Sequence, residues 1–257
     1  ENCTGLTNVT IPSSVKNINH KAFAGCENLD VVIRNAEEDV TVGSYAFDDC
    51  KSVTWKIIDE SESPLKFEVL SENVAEVTKS CVEGSVAIPS KVVIDGKTYS
   101  VVSIAYYAFK NCKGLTNITI PSSVVSIEDE AFRGCKGLTN ITIPSSVVKI
   151  GTRAFQGSGL TTIELPSSIT SIGIGLFSSC SDLVSVKIPS SVESIGENAF
   201  VDCTGLTNLE LSSSVKSIGV MAFYGCKNLD LVIDNSKDNV EVAVQAFQNC
   251  KSVTWKK

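Results

Sequence analysis

The chain predicts an α/β repeat protein, a solenoid made by stacking one small unit many times. Three observations predict it. An Ala-Phe pair followed three residues later by Cys recurs at Ala22-Phe23, Ala46-Phe47, Ala108-Phe109, Ala131-Phe132, Ala199-Phe200, Ala222-Phe223 and Ala246-Phe247. From Phe109 to Phe247 the Phe positions step by 23, 23, 22, 23, 23 and 24, with degenerate copies at Phe155 and Phe177. Six of the seven prolines follow Ile or Leu in one fixed slot of the unit. A fixed period of this length marks a repeat whose units bury their apolar faces only against neighbours.

One unit shows the elements. In Leu115 to Gly137, Leu115, Ile118 and Ile120 are apolar and Thr or Asn stands between them. This alternation predicts a short half-buried strand. Pro121 stops it, having no N–H to give to a ladder. Val124 and Ile127 should point inward again. Ala131-Phe132 should begin a short helical or 3₁₀ turn, and Gly134 and Gly137 close it. The spacing Leu-x-x-Ile-x-Ile, a turn and an inward aromatic fits a leucine-rich repeat. Successive strands should pair in parallel, and the apolar slots should form one continuous core.

The run Ile-Pro-Ser-Ser-Val-x-x-Ile-Gly-x-x-Ala-Phe-x-x-Cys-x-x-Leu, from Ile188 to Leu206, resembles the BspA-like leucine-rich repeats. The resemblance covers roughly 1–56 and 101–257. It implies a right-handed solenoid with a parallel concave sheet, short helical or 3₁₀ turns on the convex side, and a secreted or cell-surface protein used in adhesion or host contact. It carries no catalytic residues.

A longer period lies over the short one. Residues 1–56 align without gaps to 201–256, with 32 of 56 positions identical. Glu1-Asn2-Cys3 resembles the tail of a Phe turn, and the expectation is a piece of a longer tandem array. Residues 1–58 would then end one module, 59–64 would be an acidic linker, and 101–257 would form the next solenoid. Between them, Phe67-Glu-Val-Leu70 reads as a strand, and Asp95-Gly96 between two β-rich runs signals a type I′ hairpin. The stretch 65–100 is therefore a β-hairpin cap over the open core or an insertion projecting from one continuous solenoid.

A net charge of −7 and a pI near 4.9 speak against a nucleic-acid partner. No run of 18 apolar residues suggests a membrane span. Nine of the ten cysteines follow the repeat phase, so they read as a reduced core ladder of small hydrophobes; bridging is the alternative, and Cys81 alone is off phase. His20 reads as an exposed loop residue. Glu128-Asp129-Glu130 and Glu37-Glu38-Asp39 read as solvated surface before calcium sites. No catalytic, metal or cofactor constellation is present, and the expectation is a non-enzymatic monomer with no cofactor.

A partner is expected on the outward strand positions: Thr116, Asn117 and Thr119; Thr139, Asn140 and Thr142; Thr162 and Glu164; Ser185 and Lys187; Asn208 and Glu210. These are either β-favouring residues that solvate a sheet or a recognition surface. The change from Thr and Asn to Glu164, Lys187 and Glu210 directs attention there. Trp55 and Trp255 read as covers for the core ends. Two functions fit: a binding scaffold for an extracellular or host protein or glycan, or a structural spacer with no partner of its own.

Overall fold

The computed structural model describes Cys3 and residues 5–256. Glu1, Asn2, Thr4 and Lys257 lie outside the described residues. The chain winds into a β-solenoid of about 11 turns. Each turn follows the sequence logic. Leu115, Ile118 and Ile120 are buried while Thr116 and Asn117 are exposed in the strand Leu115–Thr119. Pro121 accepts the amide of Val124 at 3.1 Å and turns the chain. Val124 and Ile127 are then fully buried.

Two parallel ladders run along the stack. One joins the two-residue strands that carry the inward Ile, including Ser171–Ile172, Ser194–Ile195, Ser217–Ile218 and Glu241–Val242. The other joins the Leu-x-x-Ile strands, but in pieces rather than as one sheet. Gly84–Ala87 pairs with Leu115–Thr119, Thr162–Glu164 with Ser185–Lys187, and Asn208–Leu211 with Asp230–Ile233 and Ser252–Trp255. A single bridge, Thr119 to Thr142, is all that extends it to 139–143. The coil from Leu138 to Leu160 is one residue short of 23, and the ladder is interrupted after it.

The Ala-Phe segments are not helices. The three short 3₁₀ segments are Glu37–Asp39, Glu60–Glu62 and Lys237–Asn239, none of them at an Ala-Phe site. The reason is where the amides go. Ala131 N–H bonds back to Glu128 O and Arg133 N–H to Glu130 O, but Phe132 N–H crosses to Ala154 O at 2.8 Å. An α-helix needs every amide in its own segment; here alternate amides serve the next coil. The residue two before Phe also takes a left-handed conformation, as at Tyr107 (φ 62), Glu130 (φ 54) and Arg153 (φ 55), which does not propagate as a helix in L-residues.

Behind these turns six Phe rings, from Phe109 to Phe223, are fully buried. They stack with centroids 5.1 to 5.8 Å apart. The ladder cysteines line the same column, and their thiols donate to Phe carbonyls one coil back: Cys135 to Phe109 O at 2.9 Å, Cys203 to Phe177 O at 3.1 Å, Cys226 to Phe200 O at 3.0 Å. Burial pushes the Cys135 thiol up to about 12, so that thiol is inert. Coils approach closely: a Cβ on Gly159 would lie 2.0 Å from Lys136 O.

The fully reduced ladder needs one correction. Cys112, the first ladder cysteine after the break in the repeat, forms a disulfide with Cys81. The phase argument missed it because Cys81 comes from the turn stacked directly before Cys112, where the array has no Phe turn of its own.

The core is two clusters, not one. Residues from Ile11 to Trp55 form a small cluster, and residues from Leu65 to Trp255 form the large one. The surface between them is polar. Glu62 receives Arg34 at 2.6 Å and Lys56 at 2.5 Å, Ser90 donates to Asn35 and to Asp39, and Lys91 pairs with Glu38. Segment 59–64 is thus pinned, with Ile58–Asp59 paired to Val92 and Val93. Asp95 (φ 49) and Gly96 (φ 75) turn the antiparallel hairpin Lys91–Ile94 and Lys97–Ile104, the left-handed pair that a type I′ turn requires.

Candidate functional site

The broken strand ladder opens a groove. At its first end, Asn140, Thr142, Thr162, Glu164, Ser185 and Lys187 line a depression of 810 Å³. A second, of 680 Å³, continues from Ser185 and Lys187 to Asn208, Glu210, Asp230 and Asp234. The two share Ser185, Lys187 and Ser190 and run as one trough across the strands. Eight of the twelve residues expected on the binding face line it. Thr116, Asn117, Thr119 and Thr139 do not, and Thr119 is half-buried between its neighbours.

The trough has an apolar floor, with Ile143 and Leu165 almost buried, and a rim of hydroxyls. Ser145, Ser167, Ser190 and Ser212 stand at successive coils. Sequence reasoning missed this rim because it weighed only strand positions, although the Pro-Ser-Ser slot was visible. It also missed Asp230 and Asp234, which belong to the repeat after Glu210.

The charges that singled out this face are all engaged in ion pairs. Glu164 and Lys187 lie opposite one another in register and form an ion pair at 2.5 Å. Glu210 pairs with Lys256, which raises the lysine's pKa through that hydrogen bond. The Lys251 ammonium and then the Ser52-equivalent Ser252 hydroxyl hold the Asp230 carboxyl below its ordinary value. Glu164, Asp230 and Glu210 thus each meet a lysine, and such exposed pairs contribute about 0–1 kcal/mol each.

Elsewhere the expectations divide. Glu130 is not solvated surface: it is 8% exposed and held by Arg133 at 2.7 Å and Lys110 at 2.9 Å. Burial works to raise its carboxyl, but the hydrogen bonds from Arg133 and Lys110 hold it below the usual range. Asp129 accepts the amide of Thr152. His20 is exposed and meets the edge of the Tyr45 ring. Trp255 packs edge-on against Phe247 at the end of the large core, and Trp55 sits against the small one. Among the described residues no group of three or more His, Cys, Asp or Glu is arranged to hold a metal. No helix among them is long and apolar enough to cross a membrane.

A coiled stack with a shallow trough is the architecture of a repeat scaffold. The BspA type leucine rich repeat region matches in six copies over residues 1–85, 102–230 and 182–255. The chain belongs to that family. A leucine-rich repeat protein of T. pallidum is 32% identical, with a TM-score of 0.59 over 74% of this chain and 82% of that one. The pneumococcal vaccine antigen PcpA is 28% identical with a TM-score of 0.54, over 68% of this chain but only 48% of its own. A leucine-rich repeat protein from Eubacterium ventriosum shares the fold at 23% identity and a TM-score of 0.55, over 96% of this chain and 83% of that one. No protein with a curated description matches the chain.

Proposed function

We propose that this chain is a non-catalytic binding scaffold of a bacterial surface or secreted protein, and that the trough from Asn140 to Asp234 takes an extracellular protein or glycan. In this reading the trough lies on the concave side of a right-handed solenoid, the chain acts as a monomer, and 65–100 caps the second array. The observation that carries the reading is the break in the strand ladder, which gives an otherwise uniform surface one long depression with an apolar floor and a hydroxyl rim. Pockets of this size, with few polar groups on an apolar base, are where ligands bind. The likeness to a pneumococcal vaccine antigen supports a surface location. So does the Cys81–Cys112 disulfide, since such bonds persist in oxidising compartments.

One observation favours the spacer reading. Glu164, Lys187 and Glu210 are engaged in ion pairs, and 1–56 repeats the design of 201–256, as a rod of tandem modules would. A binding screen against matrix proteins and glycans decides between them, run beside a Glu164→Ala, Lys187→Ala, Glu210→Ala variant and a Ser167→Trp variant. A ligand lost in the Ser167→Trp variant places the site in the trough. A well-folded protein that captures nothing supports the spacer.

A further inference from the structure

We propose that turn 78–83 of the 65–100 segment is a lid on the Phe109 end of the repeat array, latched by the Cys81–Cys112 disulfide and released by reduction. The segment forms one coil in the same phase as the repeats. Val74–Val77 continues the short-strand ladder by pairing with 100–104, and Gly84–Ala87 continues the other by pairing with Leu115–Thr119. Ile88-Pro89-Ser90 then fills the Ile-Pro-Ser slot.

What this coil lacks is the Phe turn. Between its two strands it has residues 78–83, where the next coil spends residues 105–114. Neighbouring Phe turns are joined by three amide bonds, such as Tyr107 to Asp129 O, Phe109 to Ala131 O and Asn111 to Arg133 O, and by a stacked ring. Turn 78–83 makes one such bond, Ser80 N–H to Ala108 O at 2.7 Å, and brings no ring to the outer face of Phe109. Yet Phe109 is fully buried and Cys112 is 1% exposed. The disulfide supplies the missing attachment. Cys135, Cys180, Cys203, Cys226 and Cys250 each place their thiol under a preceding Phe carbonyl; Cys112 meets Cys81, with Cα atoms 5.2 Å apart.

The bond is accessible from one side. Cys81 is exposed, so a dithiol reductant's thiolate reaches its sulfur first. Attack breaks the S–S bond and leaves Cys112 as a thiol after proton uptake. The reductant's second thiol then displaces Cys81 and leaves as its own disulfide, so two electrons and two protons end on the two cysteines. With the bond gone, the turn keeps its own ties to Lys66 but is joined to the Phe109 turn by one amide bond, and the Phe109 end of the core is uncovered without loss of the two strand ladders.

Hydrogen exchange read by mass spectrometry on the full chain, with and without a dithiol reductant, tests this. The expected result is exchange at least tenfold faster in peptides spanning 78–84 and 105–112 on reduction, with peptides from 171–233 unchanged. Iodoacetamide should then label Cys81 and, more slowly, Cys112, while Cys135, Cys180, Cys203 and Cys226 stay unlabelled. A Cys81→Ser variant should exchange fast at 105–112 without reductant and gain nothing from it. Should that variant fail to fold, the two wild-type arms decide. Unchanged exchange at 78–84 after verified reduction overturns the proposal. So does acceleration along the whole chain, because the bond then holds the fold and not a lid. Labelling of Cys81 in the unreduced protein also overturns it.

Discussion

Residues 5–56 and 205–256 share a repeat pattern and a backbone plan, with 32 identities over the full 56-residue alignment, but they have different neighbours. The strand registers coincide at an offset of 200: Asn8 faces Asp30 and Asp30 faces Ser52, as Asn208 faces Asp230 and Asp230 faces Ser252. Lys51 pairs with Asp30 and Lys251 with Asp230. Burial does not coincide. Phe223 is fully buried between Phe200 at 5.1 Å and Phe247 at 6.2 Å. Phe23 is half-buried and stacks on Phe47 alone, at 5.8 Å. Ala222 is fully buried while Ala22 is exposed. One sequence therefore takes one conformation, while its stability is set by what is stacked beside it, as nearest-neighbour behaviour in solenoids requires.

The other side of the same coil differs in the opposite sense. Asn35 is 4% exposed, because Ser90 of the hairpin closes over it. At the equivalent position Asn235 is half-buried, with no hairpin over it. Local conformation survives both situations because each asparagine bonds its own coil: Asn35 donates to Ser13 O and Asn235 to Ser213 O.

The largest test of this comparison is the matched pair Phe223→Ala and Phe23→Ala. Loss of the buried ring should cost about 3–5 kcal/mol. The half-buried one should cost about 1–2 kcal/mol, in proportion to the surface it hides. Urea unfolding followed by circular dichroism measures both, and equal losses would break the comparison. Next in size is Asn35→Ala against Asn235→Ala. The first uncovers a buried carbonyl and a hydroxyl at a closed interface, at about 1–3 kcal/mol. The second, at an open ledge where water replaces the amide, should cost about half as much or less. The smallest effect belongs to Glu62, which exists only at the first junction. Hydrogen bonds from Lys56 and then Arg34 hold its carboxyl below the ordinary 4.5. Its contribution is present above that value and is lost as pH falls through the lowered one. A Glu62→Gln variant should therefore melt slightly earlier than wild type at pH 7 in low salt, and together with it in acid or in high salt. A difference that persists in acid would mean the glutamate acts by packing and not by charge.

Much of this fold was legible in the chain. The period of the Phe residues gave the stacking, the Ile-Pro slot gave the strand end, and Asp95-Gly96 gave the hairpin. The Ala-Phe turn was read as a short helical or 3₁₀ turn because composition does not reveal that alternate amides bond to another coil. The trough was half legible. Its strand residues follow from alternation, but its position follows from a break in pairing that only the assembled ladder shows. The Cys81–Cys112 bond was hidden for a similar reason, since the periodic cysteines concealed which one lacked a Phe carbonyl to meet.

The sequence by itself determined the repeating unit, the inward and outward side of every strand, and the family to which the chain belongs. These are local properties, written in spacing and in residue type. The tertiary structure decided which coils share a core and where the ladder opens. It also decided that Glu130 lies buried under two cations and that the two copies of one sequence differ in burial. Those depend on contacts between residues a full coil or more apart, and the strength of each contact is set by the neighbour and not by the residue alone.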